Sequence, residues 1–218
     1  MIQLVAFLGN FGKEYEDTRH NTAWLFEESL PFSGRISWQS KYKSDFSTVD
    51  FPDFVEWLKS SSLIKTKEDG STVPSIPKDA PKKIYLMKPL TYMNLSGEAV
   101  AEAAHFFKIP NEDILIVHDE IELPLGTVSL KWSGGLGGHN GLRSLKASLG
   151  TADFWRLRFG VGKPSNGDVA SYVLGSFTAD EKITLSQIFE QTQNLFASIL
   201  LTKDAYRFIP EWGKKKLL

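Results

Sequence analysis

Four consecutive large aliphatic side chains, Ile114-Leu115-Ile116-Val117, run directly into His118-Asp119-Glu120. An uninterrupted aliphatic run of this length is the pattern of a strand covered on both faces, as in a parallel sheet, and such a sheet needs helices packed on each side. The rest of the chain supplies them. Ile2 to Leu8 is a second short apolar run, stopped by Gly9-Asn10-Phe11-Gly12, and Ile84-Tyr85-Leu86-Met87 is a third, closed by Lys88-Pro89-Leu90. Phe154 to Val161 alternates like a fourth strand. Between them lie helical patterns: Trp24 to Leu30; Val100, Ala103, Ala104 and Phe107 behind an N-cap at Ser96; Leu142, Leu145 and Leu149; and Leu185, Ile188, Phe189, Leu195, Phe196 and Ile199 on one face of a long C-terminal helix. The alternation predicts a single-domain α/β fold with a central mixed, mostly parallel twisted sheet flanked by helices, its strand order undetermined.

Residues 35–82 break this rhythm. They are rich in Ser, Lys and Asp, with one amphipathic piece carrying Phe51, Phe54, Val55 and Leu58 on a shared face. The segment reads as an inserted, partly mobile polar excursion within a single domain spanning 1–218, and Lys214-Lys215-Lys216 as a basic, solvated C-terminal tail.

Composition removes several classes of chemistry. The chain has no cysteine, so disulfides, thiolate nucleophiles and sulfur-ligated metal centres are excluded, and His, carboxylates, hydroxyls and amides remain. No stretch approaches the roughly 18 apolar residues of a membrane span, and no secretory leader opens the chain, so the expectation is a cytoplasmic protein with no membrane contact. The 25 Lys and Arg nearly balance the 26 Asp and Glu, so a polyanionic partner would have to be held by a local basic patch.

In open α/β sheets ligands gather beyond the carboxyl ends of strands. Three predicted strand ends lead to Asn10, Asn94 and Asp119, while His20 lies at the mouth of the first helix and His139-Asn140 opens another behind the loop Gly134-Gly135-Leu136-Gly137-Gly138. The candidate constellation is one imidazole, one carboxylate and three amides. An imidazole with a pKa near 6.5 can take a proton from water at neutral pH, and a carboxylate beside it fixes its tautomer. Amides grip acyl and peptide groups or stabilise an oxyanion. Taken singly, each residue has an ordinary structural reading: a histidine at a helix start, an asparagine in a left-handed turn. His118 should face away from Asp119 as a packing or surface residue, and His105 should be solvated. The glycine loop matches neither nucleotide fingerprint, and no two histidines have i,i+4 spacing, so neither a cofactor nor a metal is expected.

The ordered set of motifs resembles the bacterial-type peptidyl-tRNA hydrolases. It comprises Leu8-Gly9-Asn10-Phe11-Gly12-Lys13-Glu14-Tyr15, Thr18-Arg19-His20-Asn21, Lys88 to Gly97, His118-Asp119-Glu120 with Leu123-Pro124-Leu125-Gly126, Gly134 to Leu142, Arg156 to Gly162 and Val169 to Gly175. The resemblance implies cleavage of the ester between a peptide and the 3′-terminal ribose of tRNA, by a monomer. It makes His20 the general base on water, Asp119 its orienting partner and Asn10 the residue that separates N-blocked from free aminoacyl groups. Asn94 and Asn140 would position substrate and water, Tyr15 and Tyr92 would contact the tRNA end, and Lys131 and Arg158 would clamp the 5′ phosphate. A non-catalytic RNA-binding protein on the same fold is the alternative, and an esterase for small acylated molecules a third reading. Three departures stand out: Phe11 where the family usually has proline, which should loosen the loop holding Asn10; Ala23 where glycine is common; and the length of 35–82, a surface ornament or an added tRNA contact through Lys41, Lys43, Lys65 and Lys67.

Overall fold

A computed structural model describes residues 1–68, 72–164 and 167–218. Along the chain run β1 (Leu4–Phe7), α1 (Thr22–Ser29), β2 (Gln39–Lys41), β3 (Ser44–Asp50), α2 (Phe51–Ser60), β4 (Lys65–Thr66), β5 (Thr72–Val73), β6 (Lys83–Pro89), α3 (Ser96–Phe107), β7 (Ile114–Glu120), β8 (Thr127–Trp132), α4 (Asn140–Leu149), β9 (Trp155–Gly160), α5 (Val169–Val173), α6 (Ala179–Leu200), α7 (Ile209–Trp212) and β10 (Lys215–Lys216). Eight of the strands form one sheet in the order β10-β8-β9-β7-β1-β6-β3-β2. The parallel pairings join β9, β7, β1 and β6, and both flanks of the sheet are antiparallel. The aliphatic run sits in β7, inside the parallel centre, and all seven of its residues are buried. Ala6 pairs with Ile116 on one side and Met87 on the other, so β1, β6 and β7 run the same way in register and deliver their following residues to one rim, with β7 extending furthest, to Glu120.

Period-two alternation sends side chains of these strands into two separate cores. Val5, Phe7, Leu115 and Val117 pack with Phe26 of α1 and with Phe189 and Phe196 of α6. Leu4, Ala6, Ile114 and Ile116 pack with Val100 and Ala103 of α3 and with Leu142 and Leu145 of α4. No helix among the described residues is long and apolar enough to cross a membrane.

The 35–82 segment does more than decorate the surface. It contributes β2 and β3 to the main sheet, and β3 pairs antiparallel with β6 from Ser44↔Pro89 to Asp50↔Lys83. Phe51, Phe54, Val55 and Leu58 of α2 enter the same core as α1 and α6. Trp38 also closes one side of a buried ion pair: Lys88 of β6 meets Glu27 of α1, and its Nζ lies 5.3 Å from the Trp38 ring and 5.6 Å from that of Trp24. Trp24 in turn donates its indole N–H to the Phe7 carbonyl at 2.9 Å, bracing the chain just before Asn10. The basic tail is likewise tied down, since Lys215 and Lys216 pair with Val128 and Thr127 of β8.

Ser96 does not cap α3; it is the first helical residue, and Leu95 occupies the cap position without a side-chain bond. Instead the Gly97 N–H donates to Ser144 Oγ at 2.9 Å, which fastens α3 to α4 at close quarters. A Cβ at residue 97 would overlap the Ser144 backbone. Gly97→Ala is therefore expected to destabilise the fold by about 1–3 kcal/mol through overpacking, read as a lowered urea midpoint with an unchanged m-value.

Candidate active site

His20 stands on a single 3-10 turn, Arg19–Asn21, that leads into α1. The turn is anchored from the other side by Arg19. Its Nη2 donates to both Glu181 oxygens at 2.9 Å, and its Nη1 donates to the Gly175 and Ser176 carbonyls at 3.1 Å. With Arg19 turned toward α5 and α6, His20 turns toward the sheet and meets Asp119, 1% exposed at the carboxyl end of β7. His20 Nδ1 lies 2.9 Å from Asp119 Oδ1. An ionised carboxylate only accepts, so Nδ1 carries the proton and Nε2 keeps its lone pair. Burial alone would lower the His20 pKa, but the facing carboxylate outweighs it and holds the imidazole above its ordinary 6.5. Burial opposes ionisation of Asp119 as well, yet His20 and His139 together hold that carboxyl far below the usual range.

The expected constellation of one imidazole, one carboxylate and three amides is short of two imidazoles. His139 Nε2 lies 3.0 Å from the same Asp119 Oδ1, and His139 Nδ1 accepts the Leu142 N–H at 3.3 Å as the N-cap of α4. Its ring sits 5.0 Å from that of His20 and 4.9 Å from that of His118. His118 is fully buried and donates from Nδ1 to the Asp119 carbonyl at 2.6 Å. Burial, reinforced by His139, pushes its pKa well below that of a free imidazole, so it is a neutral packing residue of the site's floor rather than a surface group. The facing atoms of His20, Asp119 and His139 lie within 4.8 Å of one another, a donor set of the type that suits a divalent ion. Both short N···O contacts are nevertheless satisfied as N–H donors to a carboxylate, and an ion there would have to displace both protons.

Around this pair the amides are distributed over two cavities. One, of about 350 Å³, is lined by His20, Asp119, Glu120, His139 and Asn140, with an apolar wall from α5. The other, of about 330 Å³, is lined by Asn10, Tyr15, His20, Tyr92, Asn94 and Asn140. They meet at His20 and Asn140. Asn10 is held firmly despite Phe11: its Oδ1 accepts the Met93 N–H at 2.8 Å, its N–H donates to Asn21 Oδ1 at 2.8 Å, and Asn21 Nδ2 donates to its carbonyl at 2.9 Å. Hydrogen bonds thus brace this turn at the place where the family's usual proline would fix φ. Phe11 itself leans on Tyr92, ring centroids 4.7 Å apart, and Tyr15 meets Tyr92 edge-on at 6.4 Å.

A basic cluster adjoins the first cavity through Glu120. Ser129 and Lys131 of β8 pair with Arg158 and Arg156 of β9, so all four side chains share a sheet face. Arg158 donates to Glu120 Oε2 at 3.1 Å and to Ser129 Oγ at 2.6 Å. Arg156, which sequence reasoning passed over, is 1% exposed and donates to the carbonyls of Gly134 and Gly135 at 3.0 and 2.8 Å, supporting the glycine loop that leads to His139. Burial and the neighbouring Arg158 bring its pKa down to about 10, and partial burial beside the same arginines lowers Lys131. Two arginines and a lysine stand against two carboxylates, Glu120 and the exposed Asp153 that acts on Arg156, so the cluster keeps an excess of positive charge.

Comparison with known proteins agrees with this layout. A sequence model of the family described as peptidyl-tRNA hydrolase matches residues 4–216. A curated peptidyl-tRNA hydrolase of Treponema pallidum (strain Nichols) is 41% identical over 221 residues, covering 100% of this chain and 97% of the relative. The one from Desulfitobacterium hafniense (strain Y51) is 38% identical over 191 residues, covering 87% and 88%. The crystal structure of peptidyl-tRNA hydrolase from Acinetobacter baumannii superposes with a TM-score of 0.72 at 29% identity, covering 96% of this chain and 91% of that one. Because the matches extend across every element that shapes the two cavities, the chain belongs to the peptidyl-tRNA hydrolase family.

Proposed function

We propose that the chain hydrolyses the ester between a peptide, or an N-blocked amino acid, and the 3′ end of tRNA, with His20 as the general base. The observation that carries the reading is the 2.9 Å contact of His20 Nδ1 with buried Asp119, which leaves Nε2 as a base where two cavities meet. Nε2 takes a proton from water as the oxygen attacks the ester carbonyl carbon. The tetrahedral oxyanion then collapses, the bond to the ribose 3′ oxygen breaks, and the imidazolium returns its proton to that leaving oxygen. Asp119 fixes the tautomer and stabilises the imidazolium. An ester needs less activation than an amide, so a base and oxyanion donors suffice without a covalent nucleophile.

Asn10 spends its side-chain oxygen on Met93, which leaves Nδ2 to donate to substrate. A donor there favours the acyl carbonyl of a blocked amino group and offers nothing to a free ammonium, which is how this residue separates the two substrate classes. Asn94 and Asn140 position the acyl group and the attacking water, and Tyr15 and Tyr92 receive the terminal nucleotide. Lys131 and Arg158 clamp the 5′ phosphate, with Arg158 sharing itself between Glu120 and the incoming anion. The protein acts as one domain and as a monomer, in the cytoplasm where peptidyl-tRNA arises, and needs no cofactor. A non-catalytic RNA-binding role is not favoured, given a family of hydrolases. A general esterase would act equally on short ester mimics, whereas this reading requires the blocked aminoacyl-tRNA to be turned over far faster than either a short mimic or the unblocked form.

His20→Ala should lower turnover of peptidyl-tRNA by about 10²–10⁴-fold, and undiminished turnover would reject His20 as the base. The base must be deprotonated and its pKa is raised, so kcat/KM should fall as pH drops through a value above 6.5. Asp119→Asn removes the raising contact while burial persists, so the acid limb should move to lower pH together with a lower plateau. Lys131→Ala and Arg158→Ala should raise KM for tRNA carrying a 5′ phosphate and leave it nearly unchanged for tRNA lacking one; equal losses on both would show that they do not bind that group.

A further inference from the structure

Asp119 divides its hydrogen bonds unevenly. Oδ1 accepts from His20 Nδ1 at 2.9 Å and from His139 Nε2 at 3.0 Å, while Oδ2 is buried with no hydrogen-bond partner among the described residues. The two imidazoles therefore share one oxygen, each taking one of its lone pairs. His139 is not free to turn away, because its Nδ1 accepts the Leu142 N–H as the cap of α4 and its ring lies between those of His20 and His118. With one nitrogen accepting and the other donating, His139 has no lone pair left for water, so it cannot serve as a second base.

We propose that His139 is a positioning residue that sets the strength of the His20 base by sharing the Asp119 oxygen on which that base depends. A hydrogen bond donated into a carboxylate draws negative charge toward the donor, so the pull left for a proton on His20 is weaker than an unshared aspartate would exert. The base is kept from being held protonated at working pH, while its orientation is preserved. Other groups do not take this part. His118, on β7, spends Nδ1 on the Asp119 backbone carbonyl. Glu120, next along β7, is engaged by Arg158 of β9. Arg156, also on β9, is turned to the glycine loop, and Arg143 of α4 contacts Asn140. From α5 the cavity receives Val169, Ala170 and Val173, none of them charged.

The kinetic arm rests on the reading of His20 as the base; a spectroscopic arm does not. Two substitutions separate the two jobs of His139. His139→Asn keeps an oxygen that can cap α4, but its side chain ends a bond short of Nε2 and cannot reach Asp119. His139→Gln reaches as far as Nε2 and carries a neutral donor, at some cost to the cap. The expected result for His139→Asn is an acid limb of kcat/KM displaced upward by about one pH unit, with an alkaline plateau within about tenfold of the parent. His139→Gln should restore the limb toward the parent position even if its melting temperature is the lower of the two. An NMR titration of the His20 ring, which needs no turnover, should move in the same direction and by a similar amount. An unmoved limb and an unmoved His20 titration in His139→Asn would overturn the proposal, as would a His139→Gln that follows His139→Asn. If no variant, nor the parent, cleaves peptidyl-tRNA, the functional reading fails and the His20 titration alone decides this one.

Discussion

A carboxylate buried at the end of the central strand governs how the rest of this molecule is arranged. Asp119 has almost no access to water, so its charge is tolerable only because hydrogen-bond donors are brought to it by elements that start elsewhere in the sequence. One donor arrives on the turn before α1, the other on the residue that caps α4. Both helices therefore point their N-terminal ends at the same rim, and both cores exist in part to hold those helices at that angle. The shared direction of β1, β6 and β7 follows from the parallel register, and with it the gathering of Asn10, Asn94 and Asp119 about His20.

The same constraint explains why the surrounding supports are polar rather than apolar. Arg19, Arg156 and Lys88 are each buried, and each is turned toward backbone carbonyls, carboxylates or aromatic faces that steady a piece of the rim: the α5–α6 junction, the glycine loop and the turn after β1. A buried cation that satisfies several carbonyls fixes loops that hydrophobic packing could not, because loops have few apolar side chains to bury.

Much of this was legible in the sequence, for identifiable reasons. The strands β1, β6 and β7 announce themselves as short aliphatic runs because they lie inside a parallel sheet, and the rule that ligands collect at strand ends then singles out Asn10, Asn94 and Asp119. The roles proposed for Tyr15, Tyr92, Lys131 and Arg158 came from motif resemblance, since nothing in their spacing speaks of tRNA. His139 went unassigned because its signature, a histidine three residues before a buried leucine at a helix start, is that of a cap, and histidine is an uncommon cap. The hairpin β2–β3 was hidden by its turn. Tyr42 and Lys43 occupy it with φ of 52° and 51°, where a two-residue turn ordinarily takes Asn or Gly, and the edge strand it introduces is exposed.

That hairpin and the C-terminal strand leave the sheet with unusual margins. One side finishes on three residues of β2 and the other on two residues of β10, so the outermost strand on each side is short and the rest of β3 and of β8 forms the margin beyond it. For a protein whose proposed substrates carry unfolded polypeptide, such brief outer strands shorten the paired length that a newly made chain, rich in unsatisfied backbone groups, could gain by adding itself to them.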